Sequence, residues 1–299
     1  MYKMKTFSLL AITSVILFST GCSSNGGKNN QDLTADVSDT IVSNIQQAKK
    51  IWNVLPSPIE TAMLIKTAGS TYNEKLLNPL EKVSNYTTNK SMALNLGIYT
   101  TDLSFASLFE QTQTTINYMS SAKKLAEGLG ILDAIDNNTI KKLEENINNK
   151  EVIMDIISET FMASSAFLKE NDRTAVASVV LVGGWVEGLY IATQLVNVKK
   201  IDGNKLVDRI VEQKLSLDIV LKLLEENNKD QDVISVIADM KDLKTVFDKV
   251  TISTSEIKTE VDNKTNVTTL KSETKNVITP EVFSELSEKV KSIRNKYTL

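Results

Sequence analysis

Three acidic residues stand out because each lies in an otherwise apolar stretch: Asp102, Glu159 and Glu187. At the 100° per residue of an α-helix, Asp102 falls in line with Asn95 and Tyr99, on one side of its segment. A carboxylate removed from water must be paired, hydrogen-bonded, bound to a metal ion or protonated. We therefore predict that the three carboxylates converge on one polar pocket, floored by the glycines at 183, 184 and 188. The residues expected in this pocket are Asn95, Tyr99, Asp102, Glu159, Glu187 and Gln194.

Four kinds of chemistry fit such a pocket. The groups could form a satisfied structural network between helices, hold a small molecule, ligate a metal ion or carry out acid–base catalysis as paired carboxylates. Calcium or magnesium would suit an oxygen-only site, because the sequence has no histidine and a single cysteine, Cys22. The hypothesis of a shared pocket is wrong if the carboxyl groups lie more than about 10 Å apart or face solvent, since a common ligand could not then bridge them.

Several functional classes find no support in the sequence. It contains no glycine-rich phosphate loop, no GxSxG elbow and no HExxH motif, so no residue is assigned a catalytic role. The formal net charge is only −3, with basic and acidic residues interspersed, which predicts no nucleic-acid partner. A binding or assembly protein is the leading interpretation. An enzyme that uses the buried carboxylates, with or without a divalent cation, is the alternative.

The element that must position these residues is the stretch from Ala175 to Val198, which carries one formal charge, Glu187. A helix that is apolar on all sides has to be surrounded by other helices or by lipid. A charge near the middle of a membrane span costs about 2.5–3.5 kcal/mol. We therefore predict an all-α fold, a multi-helix bundle around a buried central helix at 175–198.

The remaining segments supply helices to surround it. Ser57 and Pro58 predict a helix start, residues 91–129 one long helix, and Asn171-Asp172 a turn into the central helix. The Thr- and Ser-rich segment 250–270 fits either a small β-hairpin or an irregular loop. Thr279 and Pro280 then predict a C-terminal helix. We expect residues 33–299 to form a single domain.

The N-terminus has the composition of an export signal. Lys3 and Lys5 precede a short apolar run, and Thr20-Gly21-Cys22 follows. This ending resembles the lipobox of bacterial lipoproteins, although Ser19 stands where that family usually has leucine. The resemblance implies that residues 1–21 are removed and that Cys22 carries covalent lipid, palmitate included.

The same resemblance implies a location. Residues 23–32 are rich in Ser, Asn and Gly and predict a flexible tether that follows the acylated cysteine. By similarity to lipoprotein sorting in Gram-negative bacteria, serine after the cysteine predicts the outer membrane, with the body facing the periplasm. The body resembles uncharacterised helical lipoproteins of these bacteria. Its expected partners are the membrane, through the anchor, and an envelope protein or a small molecule.

Overall fold

The computed structural model describes residues 58–132, 141–143, 145–146, 149–254, 258–262, 267–271 and 274–299. The predicted signal peptide (1–21), Cys22 and the tether (22–32) lie outside these residues. The described part is all-α with a small β excursion, as the sequence predicts. Its long helices are α1 Pro58–Thr67, α2 Asn89–Leu108, α3 Thr112–Gly128, α4 Lys150–Glu170, α5 Thr174–Leu195, α6 Lys205–Glu225, α7 Gln231–Phe247 and α8 Pro280–Tyr297.

Helix α5 is the buried centre of the bundle. It packs against α1, α2, α4, α6 and α8, with α2 as its most extensive neighbour. Among the described residues it is the one helix long and apolar enough to cross a membrane, but 83% of its most apolar window is buried inside the protein. Other helices therefore provide the apolar surroundings that its sequence demands. The helix ends at Leu195, three residues before the predicted boundary.

Glycines let α2 and α5 approach until their backbones touch. A Cβ atom on Gly97 would lie 2.0 Å from the carbonyl oxygen of Val180, and one on Gly183 would lie 2.0 Å from that of Leu94. The hydroxyl of Thr101 donates to the carbonyl oxygen of Gly184 across the same crossing, at 3.1 Å. Gly183 serves helix contact, so the prediction that it floors a pocket was wrong.

Residues 91–129 form two helices rather than the single helix predicted. Helix α2 ends at Leu108 and α3 begins at Thr112, and the two pack against each other. Between them Glu110 adopts a φ of 60°, the left-handed conformation that ends a helix. This conformation usually selects glycine or asparagine, so a glutamate there gives no recognisable break signal.

The C-terminal excursion consists of paired strands. The strands are β1 Thr251–Thr254, β2 Lys258–Asp262, β3 Val267–Lys271 and β4 Thr274–Val277. Strand β1 pairs with β4 and β2 with β3, both antiparallel, so the pairs are nested. Of the two alternatives for 250–270, the structure has the paired strands, extended to Val277. Helix α8 follows, capped by the Thr279 side chain as predicted.

Candidate functional site

The centre of the bundle contains an ion pair that joins α5 to α8. Glu187 is fully buried, and its two carboxylate oxygens accept hydrogen bonds from Arg294 Nε at 2.9 Å and Nη2 at 3.1 Å. The guanidinium also lies 4.8 Å from the ring centre of Tyr190. Burial acts to lower the pKa of Arg294, but the charge and hydrogen bonds of Glu187 outweigh it and raise the pKa. Arg294 is therefore the fixed cation of this site.

Asp102 is the second buried carboxyl group of the site. Its Oδ2 accepts a hydrogen bond from the backbone N–H of Asn78 at 3.0 Å, while no donor among the described residues reaches Oδ1. Burial first, and the neighbouring Glu187 charge second, raise the pKa of Asp102 well above its ordinary 3.8, although Arg294 opposes the shift. The carboxyl group of Glu187 is therefore close enough for its charge to affect the protonation of Asp102.

Two carboxylates that share a buried site repel each other, which favours a proton on one of them. Without that proton, two acidic groups beside one guanidinium would leave a net negative charge in the buried interior, which is costly. A proton on Asp102 makes the Asp102–Glu187–Arg294 trio neutral. The raised pKa of Asp102 is the consequence of this arrangement.

Asn78 connects the trio to the rest of the bundle. Its side-chain Nδ2 donates to the hydroxyl of Tyr86 at 3.0 Å and to Oδ1 of Asn95 at 3.2 Å. Its carbonyl oxygen accepts from the hydroxyl of Tyr118 on α3 at 2.7 Å. Asn95 in turn donates to the carbonyl oxygen of Tyr297 at 2.9 Å. One buried network thus ties α2, α3, α5 and α8 to the segment that follows α1.

The predicted pocket residues divide between this network and other places. Asn95, Asp102 and Glu187 belong to the network, and Tyr99 lies beside it, donating to the carbonyl oxygen of Pro79 at 2.7 Å. Burial raises the pKa of Tyr99. Gln194 is half-buried and donates to the hydroxyl of Ser287 on α8 at 2.8 Å, so it contacts neither carboxyl group.

Glu159 is exposed on α4, so its predicted place in a shared pocket was wrong. The buried face of α4 runs through Ile153, Ile157 and Leu168. Ala163 and Ala166, which line up with Glu159, are exposed as well. Apolar residues occur on both sides of this helix, and the sequence pattern favoured the wrong one.

The carboxyl groups of Asp102 and Glu187 are poorly arranged to bind a metal ion. Among the described residues, no three acidic or thiol side chains come together as a metal site would require. Both Glu187 oxygens are already bonded to a guanidinium. A structural network is the alternative that this geometry favours.

Sequence reasoning missed Arg294 and Asn78. Arg294 lies in the last turn of α8, where a basic residue is favourable in any helix, but its spacing from Phe283, Leu286, Val290 and Tyr297 also places it on the apolar face. An arginine on an apolar face is the signal that predicts a buried acidic partner. Asn78 lies between two 3-10 turns, Glu74–Leu76 and Leu80–Asn85, where no periodic pattern exists to single it out.

A second candidate site is an apolar recess of about 90 Å³ between α2, α3, α4 and α5, here called the α4 recess. Buried leucine, isoleucine and valine side chains form its deep end, and partly exposed residues of α3 and α4 form its mouth. Neither Asp102 nor Glu187 lines it. The lining residues are Leu96, Thr100, Leu103, Met119, Ala122, Lys123, Ile131, Leu132, Leu143, Ile157, Thr160, Phe161, Ser164, Ser165, Leu168 and Val180.

The polar groups of the α4 recess differ in whether they already have a hydrogen-bond partner. The hydroxyls of Thr100 and Thr160 donate to backbone carbonyl oxygens of their own helices. Within the described residues, the hydroxyls of Ser164 and Ser165 have no hydrogen-bond partner. Lys123, exposed at the mouth, is the one charged residue that the described part of the chain contributes to the lining.

Comparison with known protein families, curated proteins and solved structures finds no match to this chain. Its function has therefore to be argued from these two sites.

Proposed function

We propose that this protein is a lipid-anchored binding component of the bacterial envelope that takes an apolar ligand in the α4 recess. The observation that carries the proposal is the recess itself, an apolar cavity of about 90 Å³ with an accessible mouth. Ligand sites are typically concave and apolar with few polar groups. The carboxyl groups of Asp102 and Glu187, by contrast, are fully buried, and Glu187 is paired with Arg294, which favours binding over catalysis.

The helix that closes the recess also suits a binding role. Along α4, Ile157, Thr160, Phe161 and Ser164 follow one another at helical spacing and face the cavity. The sides of the cavity come from α2 and α3, which the network around Asn78 fixes to the core. The ligand would therefore bind between a rigid wall and the single helix that covers it.

The recess can be tested in native membranes with an aliphatic alcohol that carries a photoreactive diazirine and an alkyne. We expect light to attach the probe to peptides of α2, α3 and α4 that line the recess. Ala122→Trp places an indole in the mouth and should reduce this labelling at least tenfold, because the indole takes the space that the probe needs. Ala163→Trp, on the exposed side of α4, is the matched control and should label normally.

Labelling that is equal in the two tryptophan variants, or that is spread over the bundle surface, would overturn the binding proposal. Circular dichroism and thermal unfolding of both variants show whether the bundle remains folded. If Ala122→Trp does not fold, Ser164→Phe fills the same recess from α4 and replaces it.

The lipid anchor, which rests on the Thr20-Gly21-Cys22 motif, has its own test. Cells fed an alkyne analogue of palmitate are expected to label the wild-type chain and to leave Cys22→Ser unlabelled. Ser23→Ala, which changes the next residue, is the control and should remain labelled. Equal labelling of Cys22→Ser would contradict the assignment of the anchor.

A further inference from the structure

Among the described residues, the α4 recess has one cationic group and no acidic one in its lining. This group is Lys123, which is exposed at the end where the cavity meets solvent. Within the described residues Lys123 has no ion-pair partner. An apolar cavity with a single cation at its mouth is complementary to an amphiphile with an anionic head.

The size of the cavity restricts the apolar part of that ligand. Its volume of about 90 Å³ is smaller than the roughly 150 Å³ of an engineered apolar cavity that accepts benzene. This volume is therefore too small for a whole ring system, whereas the last few carbons of an unbranched chain would fit. Leu96, Leu103 and Leu168 would contact its methylene groups there.

The hydroxyls of the recess define where the polar head lies. Ser164 on α4 is partly exposed and, within the described residues, its hydroxyl has no hydrogen-bond partner, whereas Ser165 is buried. Hydroxyl groups donate well to carboxylate oxygens, and Lys123 on α3 supplies a cation across the same opening. A carboxylate at the mouth could use both kinds of donor.

We propose that the ligand of the α4 recess is a free aliphatic monocarboxylate, a fatty acid whose chain end enters the cavity and whose carboxylate lies at Lys123. This inference rests on the proposed function, since it names the ligand class of the same site. Charge complementarity at the mouth selects the free acid over a neutral lipid of equal length.

The test compares decanoate with 1-decanol as competitors of the photoreactive alcohol probe in membranes that hold the full chain. In the wild-type protein, decanoate should displace the probe at a concentration about threefold to fivefold lower than in Lys123→Gln. This change in affinity is the one expected when a single exposed ion pair is lost. The difference should shrink in high salt, which screens exposed charges. Displacement by 1-decanol should not change with this substitution.

Lys124→Gln is the matched control because Lys124 is exposed on the same turn of α3 and does not line the recess. It should leave displacement by decanoate at the wild-type value. Equal effects of the two lysine substitutions, or none from Lys123→Gln, would overturn the carboxylate proposal while binding of the alcohol probe still supports the recess. Failure of the alcohol probe itself would overturn the proposed function instead.

Another occupant would give a different result. If the acyl chains on Cys22 of this same protein fill the recess, Cys22→Ser should increase probe labelling severalfold, and the free-acid proposal would be wrong. We expect labelling of Cys22→Ser to equal that of the wild-type chain.

Discussion

Arg294→Met is expected to lower the free energy of unfolding by about 3–5 kcal/mol. The substitution keeps an unbranched side chain of similar length against Tyr190 but leaves the fully buried Glu187 without its cation. Removing one partner of a buried pair is costly because the remaining charge has lost both water and its counter-charge. Urea unfolding at pH 7 measures the loss.

Two further variants separate the charge from the packing. Arg209→Met is the matched control, because Arg209 forms an exposed pair with Glu212, and it should change stability by less than about 0.5 kcal/mol. Adding Glu187→Gln to Arg294→Met should recover more than half of the lost free energy of unfolding, since a neutral amide replaces the unpaired buried carboxylate. An effect of Arg294→Met no larger than that of Arg209→Met would refute the buried ion pair as described.

Asp102→Asn tests the proton of the same trio. An asparagine amide is neutral, as the protonated acid is, and its oxygen can still accept from Asn78, so the network should survive. In the wild-type chain the native state keeps this proton above pH 3.8, where an unfolded aspartate releases it. The native state then binds more protons than the unfolded state, so stability falls as pH rises, by up to about 1.4 kcal/mol per pH unit.

The asparagine variant lacks this proton, so its stability should not show this fall with rising pH. Its stability relative to the wild-type chain should therefore increase with pH above 4, until the raised pKa of the native Asp102 is reached. Unfolding measured at pH 5, 6, 7 and 8 gives the difference directly. A difference that stays constant with pH would exclude a proton held by Asp102 in the native state.

The sequence predicts the architecture well because the apolar pattern is strong where it matters. A helix as uniformly apolar as 174–195 has to be buried. The starts of helices that surround it can be recognised from capping residues such as Thr279. The helix break at Glu110 was missed because the chain adopts a left-handed conformation there without a glycine. Backbone hydrogen bonds close the turn, from the N–H of Glu110 to Ser107 and from that of Gln111 to Ala106, and no residue type in the sequence reveals them.

The candidate site was predictable in part. The helical spacing of the apolar residues around them placed Asn95, Asp102 and Glu187 in the interior, because a polar residue on an apolar helix face has to be buried with that face. Spacing could not choose between the two faces of α4, and Glu159 was assigned to the wrong one. The pairing of Glu187 with Arg294 joins residues 107 positions apart, so it depends on the arrangement of helices rather than on any local pattern.

The close approach of α2 and α5 carries the other large expected effect. Gly183→Ala is expected to destabilise the protein by about 3 kcal/mol or more, because its methyl group would lie 2.0 Å from the carbonyl oxygen of Leu94. Alanine favours a helix over glycine by about 1 kcal/mol, which offsets only part of the cost. The obstacle is backbone, so the two helices have to move apart, and the Thr101–Gly184 hydrogen bond is lost with them.

Gly97→Ala meets the same crossing from the other side, at 2.0 Å from the carbonyl oxygen of Val180, and should cost a similar amount. The double variant should cost less than the sum, because helices already separated by one methyl group have room for the second. Gly128→Ala is the matched control: its methyl group would meet only the flexible end of Met92, so stability should change by no more than about 1 kcal/mol. Equal losses for Gly128→Ala and Gly183→Ala would show that helix propensity, rather than backbone contact between α2 and α5, governs these positions.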